Sequence, residues 1–334
     1  VSSHAVCTIA ENFDLTARNT LGLHSLARYG AVVTHVSDLE ALVEKAGELR
    51  LPLHVIGGGS NLVLRENIDG VVGVMETRGR EVVSEDDREV LLKVQAGEDW
   101  SSLVAWTVTN GLPGLENLAS IPGTVGAAPV QNIGAYGLEL KDRFHSLTAY
   151  DTVEGVSRQF GLEDCKFRYR HSVFKEIPGR YIVTDVTLAL PKPWRAVLDY
   201  SGLDTLPADV DAKTVFEKVA AVRASKLPDW RLVPNAGSFF HNPIVETSVA
   251  DRIDGGPRYA QSDGRVKLSA AWLIDACGLK GVREGRAGIY DRHALIVVNL
   301  GGAIKSDIDH LAARVRGEVQ AKFGIALTQE PIIL

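Results

Sequence analysis

Cysteine is scarce in this 334-residue chain: Cys7, Cys165 and Cys277 are far apart, odd in number, and belong to no Cys-x-x-Cys pair or His-rich spacing. That excludes a disulfide framework and reads as reduced thiols in a cytoplasm. No run is long enough to cross a bilayer, and residues 1–17 lack a cationic stretch followed by an apolar core, so export or anchoring is not expected. The start at Val1 without methionine implies processing or trimming. Internal repeats, low-complexity tracts and a disorder composition are missing as well. The net charge of -6 argues against a nucleic-acid or membrane surface while leaving room for a phosphorylated small molecule.

Several catalytic signatures are also absent. There is no His-Glu-x-x-His, no Walker phosphate loop and no cluster of metal ligands, so metal and nucleotide-triphosphate chemistry drop out. A Gly-x-Ser-x-Gly elbow around Ser60 fails at Leu62, and one around Ser238 fails at Phe240. The dinucleotide fingerprint that starts at Gly57 also meets Leu62 where its last glycine belongs, and a strand-like segment follows it in place of a helix.

Glycine is what the chain does have, in two places. Residues 118–137, Leu-Ala-Ser-Ile-Pro-Gly-Thr-Val-Gly-Ala-Ala-Pro-Val-Gln-Asn-Ile-Gly-Ala-Tyr-Gly, carry few bulky side chains, so backbone can approach a flat ligand closely. Upstream, Gly57-Gly58-Gly59-Ser60-Asn61 follows an apolar strand over 53–56. Consecutive glycines there free N–H groups to converge on an anion such as a pyrophosphate. A glycine-rich turn without a ligand is the plain alternative.

The pattern around these cradles mixes strands and helices. A strand over 31–36, a capping box Ser37-Asp38-Leu39-Glu40 opening a helix to 48, and strands over 53–56 and 70–75 make a small β-α-β unit. A strand over 90–96 with Val90, Leu92, Val94 and Ala96 on one face leads to a helix over 100–110, capped by Asp99 and ended by Gly111. Strands over 147–150 and 181–190, a helix over 212–225, a helix over 268–276, a strand over 294–300 and a helix over 306–323 complete an α+β chain in three blocks. Three side chains stand out: Arg170 beside Tyr169, Ser238 in a tight Gly-Ser-Phe-Phe turn, and Glu330 ahead of the terminal apolar residues. Singly, each has an ordinary reading as a surface ion pair, a turn hydroxyl and a solvated tail charge.

Together, the segments 56–64, 120–126, 131–137, 169–172, 226–228, 235–240 and 327–331, in this order and spacing, closely resemble the UDP-N-acetylenolpyruvoylglucosamine reductases over nearly the whole chain. The resemblance implies three domains: 1–80 and 81–227 forming a vanillyl-alcohol-oxidase-type module for non-covalent FAD, and 228–334 binding substrate. It further implies NADPH as reductant, UDP-N-acetylglucosamine enolpyruvate as substrate, and a cytoplasmic monomer in cell-wall precursor synthesis. Arg170 and Glu330 are expected to stabilise the enolate-like intermediate, the latter with a raised pKa, and Ser238 to protonate it, with Lys226 near its alkoxide. The flavin is expected on Gly57, Gly58, Gly59, Ser60, Asn61, Ser120, Ile121, Gly123, Thr124, Gly126, Asn132, Gly134, Ala135, Tyr136 and Ile182. The sugar nucleotide is expected on Tyr169, Tyr200, Lys226, Asn242, Lys267 and His293, with Tyr200 on a substrate loop at 194–203 typical of the longer of the family's two types. His293 departs from the glutamine or acid of some relatives, and the family's tail often continues past the point where this chain stops. An alcohol or lactone oxidase with the same cofactor class would carry a covalent flavin link through His or Cys, and neither cradle contains one.

Overall fold

The computed structural model describes residues 7–334; residues 1–6, the first part of the stretch read above as lacking a leader, lie outside it. The chain divides into two compact units. One takes residues 7–13, Ala27–Gly58 and Asp69–Arg223; the other takes Asp14–Leu26, Gly59–Ile68 and Ala224–Leu334.

The first unit holds two sheets. In the smaller, the strands run in the order Ala10–Asp14, Leu26–Val33, Asn67–Met75, Leu53–Ile56. The last two are parallel, from Leu53 opposite Val71 to Ile56 opposite Val74. Helix Asp38–Leu49 connects Leu26–Val33 to Leu53–Ile56 and buries Leu39, Leu42 and Ala46, the i, i+3, i+7 stripe of an amphipathic helix. This is the expected β-α-β unit with two corrections. The strand expected over 31–36 is Leu26–Val33, because the Asp38 carboxylate accepts from the N–H groups of Thr34 and His35, at 2.9 Å each, and turns the chain there. The same contacts replace the capping box: Ser37 already has helical dihedrals and its side chain caps nothing.

The larger sheet is antiparallel, in the order Val156–Phe160, Phe144–Asp151, Tyr181–Pro191, Glu89–Gln95, Arg80–Glu85. Val90, Leu92 and Val94 point into its core as their alternation requires, and Ala96 is buried just past the strand end. Helix Trp100–Thr109 packs on it, opened by Asp99 Oδ1 accepting from the Ser102 N–H at 2.7 Å. Gly111 leaves it at φ +69°, as expected.

In the second unit, Asn235–Ser238, Ile296–Asn299, Ala287–Ile289 and Arg283–Glu284 form one sheet, and Ile244–Val245, Val266–Leu268 and Arg258–Ala260 a smaller one. Helix Lys305–Phe323 buries Ile308, Leu311, Ala312, Val315 and Val319 in the core. The helix expected from 268 begins at Ala270: Leu268 ends a strand, and Ser269 Oγ caps the helix by accepting from the Trp272 N–H at 3.3 Å. Leu21, Leu23 and Val63 complete this core from segments far upstream. Among the described residues, no helix is long and apolar enough to cross a membrane.

Candidate active site

In the first unit the two glycine-rich stretches lie against each other. A Cβ on Gly57 would fall 2.1 Å from Thr124 Oγ1, and one on Gly58 would fall 3.3 Å from Gly123 Cα. A side chain at 57 would have to displace the Thr124 hydroxyl and one at 58 would press on backbone, so the approach favours glycine at both. The loop opposite is fixed by main-chain bonds: Trp100 N–H to Gly123 O, Val125 N–H to Glu98 O and Gly126 N–H to Ala96 O, at 3.0, 2.9 and 2.8 Å. The N–H groups of Gly57, Gly58, Gly123 and Thr124 donate to nothing among the described residues. Backbone donors left over on two apposed glycine turns fit a pyrophosphate. Gly59, in the second unit, has φ +61° and sits against Arg18 O, 2.1 Å from where its Cβ would be. Its identity is therefore set by protein packing.

The 118–137 stretch has left-handed backbone at Ser120, Asn132 and Tyr136. Asn132 is fully buried and holds the bend, donating to Glu139 Oε2 and Arg168 O and accepting from the Lys141 N–H. Ile121 lends its carbonyl to Ser101 Oγ at 2.9 Å, and Ile182 is buried in the core of the smaller sheet. Arg170, itself at φ +52°, donates from Nη2 to the Gly134 carbonyl at 2.8 Å and lies 5.2 Å over the Tyr169 ring. The cradle and the guanidinium expected to serve catalysis thus meet at Gly134, with Ala135 and Tyr136 next in the chain.

The segment 194–203, expected as a substrate loop, is pinned to this stretch. Trp194 Nε1 donates to Glu116 Oε1 at 2.7 Å, Asn117 Nδ2 donates to both Tyr136 O and Val197 O at 2.8 Å, and Leu203 is fully buried. Tyr200 meets Tyr136 edge to face at 5.1 Å while staying half-exposed. Burial pushes the Tyr136 phenol up, the Arg223 charge works against this, and Tyr200 adds to it.

Arg223 is the residue the sequence reading passed over. Its Nε is enclosed without a hydrogen-bond partner, and no carboxylate pairs with it among the described residues. Burial lowers its pKa; Tyr136 opposes that shift and the like charge of Arg170 reinforces it. A half-buried guanidinium with its Nε enclosed, no acid paired with it and a second guanidinium acting on it is suited to meet an anion. The signal was present: Arg223 continues the 215, 219 stripe of helix Ala212–Lys226, whose other members, Val215 and Val219, are fully buried.

In the second unit Asn235 builds the turn that presents Ser238. Its Oδ1 accepts from the Gly237 N–H at 2.9 Å and its Nδ2 donates to Val233 O at 2.8 Å, with Gly237 at φ +68° and Ser238 half-buried opposite Ile296. Alongside runs the chain end: Glu330 N–H donates to Phe239 O, and His241 N–H to Thr328 O, at 2.9 Å each. The Glu330 side chain is only 16% exposed, with Oε2 3.9 Å from His241 Nε2, so it is no solvated tail charge. Asn61 contacts this tail through both its side chain and its carbonyl.

Lys226 is exposed at the end of its helix. His293 is held below its ordinary pKa by burial, helped by the charges of Lys226 and Lys280. Its Nδ1 accepts from the Leu295 N–H at 3.3 Å, so the neutral ring carries its proton on Nε2. Asn242 Oδ1 accepts from Ala270 N–H at 2.9 Å, and Lys267 Nζ lies 5.7 Å from the ring centre of Tyr259.

Known proteins align with both parts of this arrangement. The profile of an FAD binding domain matches residues 28–158, and that of the UDP-N-acetylenolpyruvoylglucosamine reductase C-terminal domain matches residues 228–334. The UDP-N-acetylenolpyruvoylglucosamine reductase of Burkholderia lata is 46% identical over 332 residues, 96% of this chain and 95% of its own length. That of Bordetella pertussis is 47% identical over 330 residues, 96% and 94% of the two chains. The crystal structure of the Thermus caldophilus UDP-N-acetylenolpyruvylglucosamine reductase superposes with a TM-score of 0.68 at 27% identity, covering 98% of each chain. Identity at this level over almost the full length places the chain in a family: it belongs to the UDP-N-acetylenolpyruvoylglucosamine reductases.

Proposed function

We propose that the chain reduces the enolpyruvyl group of UDP-N-acetylglucosamine enolpyruvate to give UDP-N-acetylmuramate, a peptidoglycan precursor, with NADPH as reductant and non-covalent FAD. The observation that carries the reading is an antiparallel bridge in the second unit, Phe240 opposite Gln329. A hydroxyl in a sharply built turn and a largely buried carboxyl lie on the two segments it joins, which the Glu330 N–H to Phe239 O bond holds together. The apposed glycine turns with unused N–H groups support the cofactor assignment.

Bound FAD would supply hydride acceptance from NADPH and hydride donation to the substrate double bond. The chain's own residues do the rest. Gly57, Gly58, Gly123 and Thr124 offer N–H groups to the pyrophosphate, with Ser60, Ser120, Ile121, Gly126, Asn132, Gly134, Ala135, Tyr136 and Ile182 around the remainder of the cofactor. Arg170, permanently cationic, holds the substrate carboxylate as charge develops on it, and Arg223 adds a second cation at the same end. Ser238 gives its proton to the carbon that becomes the new centre; a neutral hydroxyl suffices because an enolate carbon is a strong base. Glu330, beside His241, assists as a hydrogen-bonded acid, since a bare carboxylate would repel the enolate. Tyr169, Tyr200, Lys226, Asn242, Lys267 and the Nε2–H of His293 take the sugar nucleotide, with 194–203 as the substrate loop of the longer family type.

The division of labour follows the stretches read from the sequence: 1–80 and 81–227 for a vanillyl-alcohol-oxidase-type flavin module and 228–334 for the sugar nucleotide, with 14–26 and 59–68 lending residues to the last. The protein works as a cytoplasmic monomer in the wall synthesis on which cell shape and division depend.

Anaerobic stopped-flow absorbance at the flavin band tests this. Protein reduced with NADPH and mixed with the enolpyruvyl sugar nucleotide is expected to reoxidise rapidly and stoichiometrically without oxygen. Flavin that stays reduced until oxygen is admitted would move the reading to an oxidase, and a colourless protein that takes up no FAD would end both.

A further inference from the structure

We infer that Asn61 is a positioning residue for Glu330, acting through the register of the terminal strand; this rests on the catalytic role proposed for Glu330. Residues 328–334 change partner midway. Up to Glu330 they bond to 239–241, through Glu330 N–H to Phe239 O and His241 N–H to Thr328 O. Pro331 has no N–H to give. From Ile332 onward the bonds go to the segment that follows the upstream glycines: Ile332 N–H to Asn61 O at 3.0 Å, Leu334 N–H to Val63 O at 3.1 Å, and Arg65 N–H back to Leu334 O at 2.7 Å. Ile332–Ile333 and Leu62–Val63 are the only two strands of this parallel sheet. Glu330 sits at the handover, and Asn61 adds a long contact from Nδ2 to the Glu330 carbonyl at 3.5 Å.

Burial anchors the two ends of this stretch, at Pro331 and Leu334, while Ile332 and Ile333 between them are 43% and 40% exposed. Between those anchors the hydrogen bonds hold the register. Side chains alternate along a strand, and a slip of one residue would carry the Glu330 carboxyl to the opposite face. The first bond after the proline, Ile332 N–H to Asn61 O, decides which face it takes. Asn61, expected from the sequence as a cofactor contact, thereby also serves the group on the tail.

Three variants test this: Ile332→Pro, which deletes the donor, Ile332→Ala, which trims the same exposed side chain and keeps it, and Glu330→Gln. Each is loaded with FAD and followed through flavin reduction by NADPH and reoxidation by the enolpyruvyl sugar nucleotide, with hydrogen exchange of a peptide spanning 327–334 measured alongside. Ile332→Pro is expected to slow reoxidation about 10- to 100-fold, leave FAD content and reduction by NADPH unchanged, and speed exchange of the peptide. Ile332→Ala should match the parent in all three, and Glu330→Gln should slow reoxidation with exchange unchanged. If Ile332→Pro reoxidises normally while Glu330→Gln does not, positioning by Asn61 is wrong and the role of Glu330 stands. Normal reoxidation in Glu330→Gln overturns that role and this inference together. Loss of FAD, or equal slowing of both half-reactions, in Ile332→Pro marks a general structural contact and also overturns it.

Discussion

Arg223 carries a cost in the ligand-free protein, because its Nε is enclosed with no acceptor and Arg170 repels it. Arg223→Met keeps much of the side-chain length and removes the charge. The variant should be more stable than the parent by about 1–3 kcal/mol without ligand, read as a raised urea midpoint. The same change should weaken binding of the sugar nucleotide by at least about tenfold, the loss of one charge-assisted contact, read by flavin absorbance titration. A residue tuned for packing alone would lose on the first measurement and leave the second unmoved. Glu98 gives the opposite case, a charge satisfied within the fold. Burial works to raise its carboxyl pKa, but hydrogen bonds from the Arg80 guanidinium and the Gly79 N–H outweigh that and leave it lowered. A folded value below the unfolded one means stability present at neutral pH and lost as pH falls through the folded value. Glu98→Gln should therefore cost about 1–2 kcal/mol at pH 7 and progressively less toward pH 3, by urea unfolding at each pH. Burial also pushes the Cys165 thiol up to about 12, so it should resist alkylation at pH 8 until the protein is unfolded.

Several elements away from the sheet edges were legible in the sequence, and exposed edge strands were not. Glu89–Gln95 alternates buried and half-buried residues along its whole length and was readable at once, as was Leu53–Ile56. Arg80–Glu85 and Val156–Phe160 escaped because they are sheet edges, exposed almost throughout, and exist only because a neighbour's N–H and C=O groups are waiting. Local side-chain chemistry was readable where it acts on its own neighbours, as with Asp99, and misleading where a competing acceptor won, as when Asp38 displaced the Ser37 capping box. Asp99→Ala should cost about 1 kcal/mol by denaturant midpoint. The glycines were legible as a cluster but not individually: Gly57 and Gly58 face another loop of their own unit, and Gly59 faces Arg18 O. Gly59→Ala meets both that oxygen and a left-handed backbone, so it should cost more than about 2 kcal/mol, whether or not FAD is present in the melt. The candidate site was legible only through the order and spacing of several short segments. The contacts of Arg223 and Asn61 depend on residues tens to hundreds of positions away, which no local pattern encodes.

At the scale of the whole chain, the second unit is not contiguous. Its core closes around Leu21, Leu23 and Val63 as well as residues beyond 235. A fragment of residues 228–334 should therefore fail to fold alone, giving no cooperative melt and binding hydrophobic dye, although it is the stretch matched by the family's C-terminal profile. Adding separate peptides for 14–26 and 59–68 is not expected to rescue it, because loop closure through the first unit supplies their effective concentration. The same threading sets a clock on synthesis. Leu21, Leu23 and Val63 leave the ribosome long before Val319 and Leu327, their partners in one core, are made. At roughly 5–20 residues per second they stay uncovered for some tens of seconds. Three apolar side chains of the second unit's core thus wait uncovered while the rest of the chain is made, and the hydroxyl and carboxyl of that unit come together only after residues 327–334 have been added.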